Sequence, residues 1–330
     1  MAQALKYILR QDDEAMAMKL ASFSSRGKQG VGAIVGDRVV DLPKGYRFYM
    51  KRKGKVFKQA IPNTMAEFIK CGGQALTAAE KVLGFVEKKE YNVPEIIYEL
   101  SSVKLLAPVP DPSKIVCTGL NFEDYRKILG LQYLEVPQIF LKAPSSIVGH
   151  MDPVEIPHGY GEVYHEYELA AVISQRCRAI PREGVRDVIF GYTILNDITA
   201  HSIELKTREY QQWGKSFDTF APMGPWIVTS NEIEKDLYAL KMIRRRNGKV
   251  ECESSSRYMR FRFDDIISFA TTFMTLNPGD VVTSASPPAG PIEPGDMVEA
   301  EVERIGVLKN PVAGRDVDLR YARAIGLAPS

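Results

Sequence analysis

Leu106-Ala107-Pro108-Val109-Pro110-Asp111-Pro112 is the feature that most limits how this chain can fold. Three prolines in five positions leave a helix no place to form, and each lacks the N–H that a central strand needs. The segment therefore reads as a stiff connector. It splits the chain into a small N-terminal module, 1–107, and a larger domain, 108–330. In the module, two apolar runs at 31–35 and 38–42 flank Gly36-Asp37, a hairpin signal. Asn63 is expected to cap a helix that runs through Ile69 and stops at Gly72-Gly73. A second helix follows at 74–90, with Leu76, Ala79, Val82, Leu83 and Val86 at helical spacing. Beyond the connector the pattern changes to short β-rich runs at 114–117, 138–142, 168–173, 191–195, 226–229, 280–283 and 298–305. Helices are expected only at 123–129, 182–188 and 264–275, and a polar tail after Pro311. Frequent short strands with few helices predict an α+β, β-rich barrel or roll carrying a small N-terminal α/β module.

Composition excludes several functions. Lys and Arg number 43 against 41 Asp and Glu, so nothing electrostatic favours a nucleic-acid partner. The run Arg244-Arg245-Arg246 precedes Asn247-Gly248, a strong hairpin turn, and reads as a solvated hairpin tip. Cys71, Cys117, Cys177 and Cys252 are too dispersed for a zinc ribbon or a disulfide framework and are expected as reduced thiols. The first residues lack the apolar core of a signal peptide, and no stretch approaches 18 uncharged apolar residues. The expectation is a soluble, cytoplasmic protein with no membrane partner.

The chemistry concentrates in His165-Glu166-Tyr167-Glu168-Leu169-Ala170-Ala171-Val172-Ile173. Side chains on a strand repeat every two residues, so Glu166 and Glu168 share a face, and the apolar run behind them enters a core. Two adjacent carboxylates at the mouth of a core raise each other's pKa unless a cation lies between them. Oxygen ligands without Cys or His pairs favour Mg²⁺, Mn²⁺ or Ca²⁺ over Zn²⁺. The plainer alternative is a solvent-facing edge strand. A second apolar strand, Phe190-Gly191-Tyr192-Thr193-Ile194-Leu195-Asn196-Asp197, ends in a third carboxylate. Asp197 either joins the other two or caps a following helix. The histidines at 150, 158 and 165 read as structural or solvated.

Together, E-x-E-L-A-x-V-I from Glu166, G-Y-T-x-x-N-D from Gly191, and Gly214-Lys215-Ser216-Phe217-Asp218-Thr219-Phe220-Ala221-Pro222-Met223-Gly224-Pro225-Trp226 resemble the signature series of the fumarylacetoacetate hydrolase family. The likeness extends to the run Lys114 to Asn121, the Phe140-Leu141-Lys142 strand, Pro278-Gly279-Asp280-Val281 and the stretch from Gly306 to Pro311. The N-terminal module matches the small domain many members carry. The resemblance implies a mixed β-sandwich roll with a metal at its mouth, in a homodimer. It implies Glu166, Glu168 and Asp197 as ligands of Mg²⁺ or Mn²⁺ and Lys215 as a catalytic charge stabiliser. Lys142, His201, Glu204, Ser284 and Ser286 fall at substrate-binding positions. The implied substrate is a small 2-oxo acid or β-diketone, and the implied reaction is C–C bond hydrolysis through a metal-bound enolate. Decarboxylation, isomerisation, dehydration of a 2-keto-3-deoxy acid, and a catalytically silent metal-binding homologue remain as alternatives.

The chain departs from the family pattern in three places. Many members carry a His and, three residues later, a Glu on a mobile lid, where this chain has Tyr125 and Ile128 in Asn121-Phe122-Glu123-Asp124-Tyr125-Arg126-Lys127-Ile128. The pair that activates water is thus missing, and Glu123 or Asp124 is left as a substitute. Where many members read A-R-D-x-Q, this chain reads Ala200-His201-Ser202-Ile203-Glu204, trading a positive charge for a negative one. The family's T-G-T-P-A-G loop becomes Thr283-Ser284-Ala285-Ser286-Pro287-Pro288-Ala289-Gly290. A less charged substrate than fumarylacetoacetate is expected.

Overall fold

The computed structural model describes residues 16–54, 56, 60–88, 93, 95–206, 211–320, 323 and 326. Most of the stretch inspected for a signal peptide and the expected helix end at 89–90 lie outside these residues. No helix among the described residues is long and apolar enough to cross a membrane.

The framework is a large mixed sheet with the strand Tyr167–Ile173 near its middle. That strand pairs antiparallel with Ile189–Asn196 on one side and with Val281–Thr283 on the other. Beyond them the sheet continues through Ala221–Thr229 in one direction and through Ile115–Gly119 and Gln138–Lys142 in the other. A smaller sheet, from Lys241–Arg246, Lys249–Ser255, Met297–Val302, Gly306–Arg315 and Val154–Pro157, stacks against it. The result is the expected β-rich α+β architecture.

The central strand is buried on both faces, so its apolar run does not alternate with polar residues. Tyr167, Leu169, Ala171 and Ile173 enter one core, with the smaller sheet and the helix Phe263–Phe273. Ala170 and Val172 enter a second core, with Phe68, Ala79 and Val82 of the N-terminal helices Met65–Cys71 and Gly73–Glu87. Phe68 meets Phe190 edge-on, with ring centroids 6.3 Å apart. Burying one such side chain contributes about 1.5–3 kcal/mol.

The N-terminal strands extend this same sheet. Lys19–Ser25, absent from the sequence expectation, pairs with Ala221–Thr229 through Leu20 and Ile227 and carries the hairpin Lys28–Val35 and Arg38–Asp41 outward. A helix, Leu42–Arg52, is likewise unexpected; Asp41 caps it and Pro43 sits in its first turn. Thr64, rather than Asn63, caps the next helix, which runs on to Cys71. The proline segment 106–112 has neither helix nor strand, and Ala107 and Val109 are buried in the second core.

Three further expectations change. The 182–188 helix is two short 3₁₀ turns, Arg182–Gly184 and Arg186–Val188. Gly306–Arg315 continues through Pro311 as a strand paired with Val154–Pro157, so no tail begins there. Asn247 and Gly248 do form the hairpin turn, at φ 53° and 76°. Arg244, however, is buried: it donates to Pro288 O and lies 3.5 Å from Glu251, because the strand segment at Gly290 packs directly over its guanidinium.

Candidate metal centre

Glu166, Glu168 and Asp197 each present a carboxylate oxygen within 4.8 Å of the others. Backbone pairing sets this geometry. Glu168 lies opposite Leu195, Asp197 N donates to Glu166 O at 2.8 Å, and the Asn196 side chain accepts from Glu166 N at 3.1 Å. Asp197 caps no helix; the chain passes through Thr199–Ala200 before His201–Lys206 begins.

Two lysines hold the cluster. Lys142, fully buried, pairs with Asp197 Oδ1 and donates to Ile198 O at 3.1 Å. Lys215 donates to Asp197 Oδ2 at 2.8 Å, Thr199 Oγ1 at 2.8 Å and Glu166 Oε1 at 3.1 Å. Its ammonium lies 5.1 Å from the centre of the Phe140 ring, a residue of the second core. Gly214 makes this approach possible: a Cβ there would sit 2.9 Å from Ala200 O. The short helix Gln212–Lys215 can therefore lie close against the chain at residue 200.

The electrostatics are unbalanced. Burial raises Lys215's cost of charge, but Asp197, then Glu166 and Glu204, outweigh it and hold its pKa well above the ordinary value. Burial alone would raise Asp197, yet Lys142 and Lys215 bring it below the usual carboxylate range. Burial pushes Glu166 up to about 7, with Asp197 and Glu204 adding to the rise against Lys215. Glu168 is pushed well above its ordinary value by burial, then by Asp197 and Glu166, and the nearby Thr283 hydroxyl offsets little of this. Neither buried oxygen of Glu168 has a hydrogen-bond partner of ordinary geometry among the described residues. An unpartnered carboxylate facing two others is the chemistry that a divalent cation resolves, so these residues fit one.

The other expected site residues divide. Tyr125, on the helix Glu123–Ile128, packs against the first core, and burial, then the charges of Glu166 and Glu204, push its pKa up to about 12. Ile128, expected to close over the cluster with it, is 70% exposed. Glu123 is turned to Arg126 at 3.2 Å, a pairing within the helix's first turn. His201 and Glu204 meet at 3.3 Å on the helix following Asp197, and Glu204 also lies 3.9 Å from Lys215. Ser284 and Ser286 are buried, and each hydroxyl donates to the next residue's carbonyl. Lys142 serves Asp197 rather than an open surface; a lone lysine ending an apolar strand is the signal for it. Sequence reasoning misses Thr199 and Tyr164. Tyr164 shares the two-residue period of Glu166 and Glu168, and its ring stacks on His201 with centroids 4.3 Å apart.

The fumarylacetoacetate (FAA) hydrolase C-terminal family matches residues 114–313. The chain belongs to this family. It is similar to the mitochondrial oxaloacetate tautomerase of Xenopus laevis, 33% identical over 90% of this chain and 91% of the relative. Among solved structures it resembles the fumarylacetoacetate hydrolase of Exiguobacterium antarcticum, at 28% identity and a TM-score of 0.71, covering 90% of this chain and 100% of the other. It also resembles maleylpyruvate hydrolase of Sphingobium sp. SYK-6 in complex with manganese(II) and pyruvate. That match has 29% identity and a TM-score of 0.68 and covers 90% of this chain and 99% of the other. Family membership and a carboxylate triad suited to a divalent cation thus stand together.

Proposed function

We propose that this protein is a divalent-metal-dependent enzyme that interconverts the keto and enol forms of a small 2-oxo acid such as oxaloacetate. The observation that carries the reading is that Tyr125 stands where many members of the family carry the water-activating histidine. With its pKa pushed up to about 12, Tyr125 stays protonated at neutral pH and can donate a hydrogen bond but not activate water. The likeness to an oxaloacetate tautomerase over nine-tenths of the chain supports the same choice. Hydrolysis of a diketo acid is the second reading, favoured by the likeness to maleylpyruvate hydrolase.

Glu166, Glu168 and Asp197 would hold Mg²⁺ or Mn²⁺, which supplies Lewis-acid stabilisation of negative charge on the substrate's oxygens. Lys215 places a fixed ammonium beside them, and Tyr125 offers its hydroxyl to the oxygen that gains charge. Assembly as a homodimer belongs to this reading and is checked by light scattering.

The test follows the enol's ultraviolet absorbance in oxaloacetate with Mg²⁺ or Mn²⁺ present, alongside hydrolysis of acetylpyruvate. The expected result is fast tautomerisation and weak hydrolysis. A kcat/KM for acetylpyruvate hydrolysis equal to that for tautomerisation would overturn the proposal in favour of the second reading.

A further inference from the structure

We propose that His201 is the group that moves the proton at C3 of the substrate, and that Glu204 orients it. This rests on the tautomerase reading above. The helix Glu123–Ile128 lacks a His and a Glu three residues apart, yet the helix His201–Lys206, which follows Asp197, carries that same pair at that same spacing.

Geometry supports the assignment. Glu204 bridges two groups: Oε2 lies 3.3 Å from His201 Nδ1, and Oε1 lies 3.9 Å from Lys215 Nζ. Lys215 in turn binds Asp197 and Glu166, so an unbroken polar chain joins the imidazole to the carboxylate cluster. The Tyr164 ring, stacked at 22° on the imidazole, fixes its plane. With Nδ1–H given to Glu204, Nε2 carries the lone pair. No described residue partners that nitrogen. The other histidines lie against other groups. His150 Nδ1 accepts from Lys309 N, His158 pairs with Asp316, and His165 is buried 4.0 Å from Glu251.

In the keto-to-enol direction, Nε2 takes a proton from C3 and becomes imidazolium. The C3–H electron pair forms the C2=C3 bond, and the carbonyl π pair moves onto the C2 oxygen. That oxygen takes a proton from solvent and the imidazolium gives its own to solvent, so the protein ends unchanged. Glu204 stabilises the imidazolium while it exists.

The experiment compares His201→Asn and Glu204→Gln with the parent, with Mn²⁺ saturating and folding checked by thermal melting. Two readouts are used: oxaloacetate tautomerisation, and exchange of the C3 protons of pyruvate for deuterium by NMR. His201→Asn is expected to lose about 10²–10³-fold in kcat, and added imidazole to restore part of it. Glu204→Gln is expected to lose about tenfold in kcat with KM unchanged. An active parent with His201→Asn within threefold of it overturns the role of His201 and leaves the tautomerase reading standing. A parent inactive on oxaloacetate that exchanges pyruvate through His201 overturns the tautomerase reading and supports the dyad. A parent inactive in both assays overturns both.

Discussion

Glu168 and Asp280 are both fully buried carboxylates at opposite ends of one strand pair, and they are treated in opposite ways. Asp280 accepts from Ser113 Oγ at 2.6 Å, Lys114 Nζ at 2.7 Å, Asn277 N at 2.8 Å and Lys114 N at 3.1 Å. It ties the loop before Ile115–Gly119 to the turn before Val281–Thr283. Glu168 has no such set of donors and faces two more carboxylates. A buried charge that is fully hydrogen-bonded fastens the fold, whereas one left unpaired marks a place where something else must bind. The difference separates a structural acid from a functional one without reference to any relative.

Removing metal should expose the contrast most fully. Chelation is expected to abolish turnover, and Mg²⁺ or Mn²⁺ to restore it, while the Asp280 end is untouched. Full activity in the chelated protein would mean that Glu168 needs no cation. Next in size is Lys215→Ala. Its ammonium stands where negative charge develops, so kcat should fall about 10²–10³-fold, well beyond any rise in KM. Steady-state kinetics at saturating metal decides this, and an unchanged kcat would make Lys215 a structural counter-charge like Lys114.

The sequence displays the functional acid better than the structural one. Glu166 and Glu168 stand out because they interrupt the entry to an apolar run, and Asp197 because it ends another. Asp280 follows the Pro278-Gly279 turn, where an aspartate by itself points to no partner, and its donors on Ser113 and Lys114 are 167 and 166 residues away in the chain. Long-range pairing hides other features too. Lys19–Ser25 reads as a polar, serine-rich run, and only its place between Lys28–Val35 and Ala221–Thr229 makes it a buried strand. The triple-arginine hairpin reads as solvated because nothing local shows that Gly290 packs over Arg244. Short-range chemistry, by contrast, is readable: the Asn247-Gly248 turn and the helix Phe263–Phe273 stand where local pattern places them.

Asp280→Ala tests the structural side. It strands Lys114 and removes the acceptor for two backbone N–H groups, so a loss of about 3 kcal/mol in unfolding free energy is expected. Urea denaturation measures it. Specific activity of the folded fraction should be unchanged; a fall in kcat without loss of stability would move Asp280 out of the structural class.

The smallest effect, and the sharpest, is a change of sign at Glu168. In metal-free protein burial and two neighbouring carboxylates disfavour its ionised form, so at neutral pH Glu168→Gln should raise stability by about 1–2 kcal/mol. With metal saturating, the same substitution removes a ligand, weakens metal binding and lowers stability by mass action. The pH dependence follows from the same cause. Glu166 rises from 4.5 to about 7 in the folded state, and Glu168 also moves upward. Between those values the unfolded chain has released a proton that the native state still holds, so the contribution of this group to metal-free stability falls as pH rises from about 4.5 to about 7. Glu168→Gln removes one of the two titrating groups and lowers the repulsion on the other, so that slope should flatten. Thermal melts across this pH range, with chelator and with Mn²⁺, measure both signs. A substitution that destabilises the metal-free protein would mean that Glu168, like Asp280, is held by the fold itself.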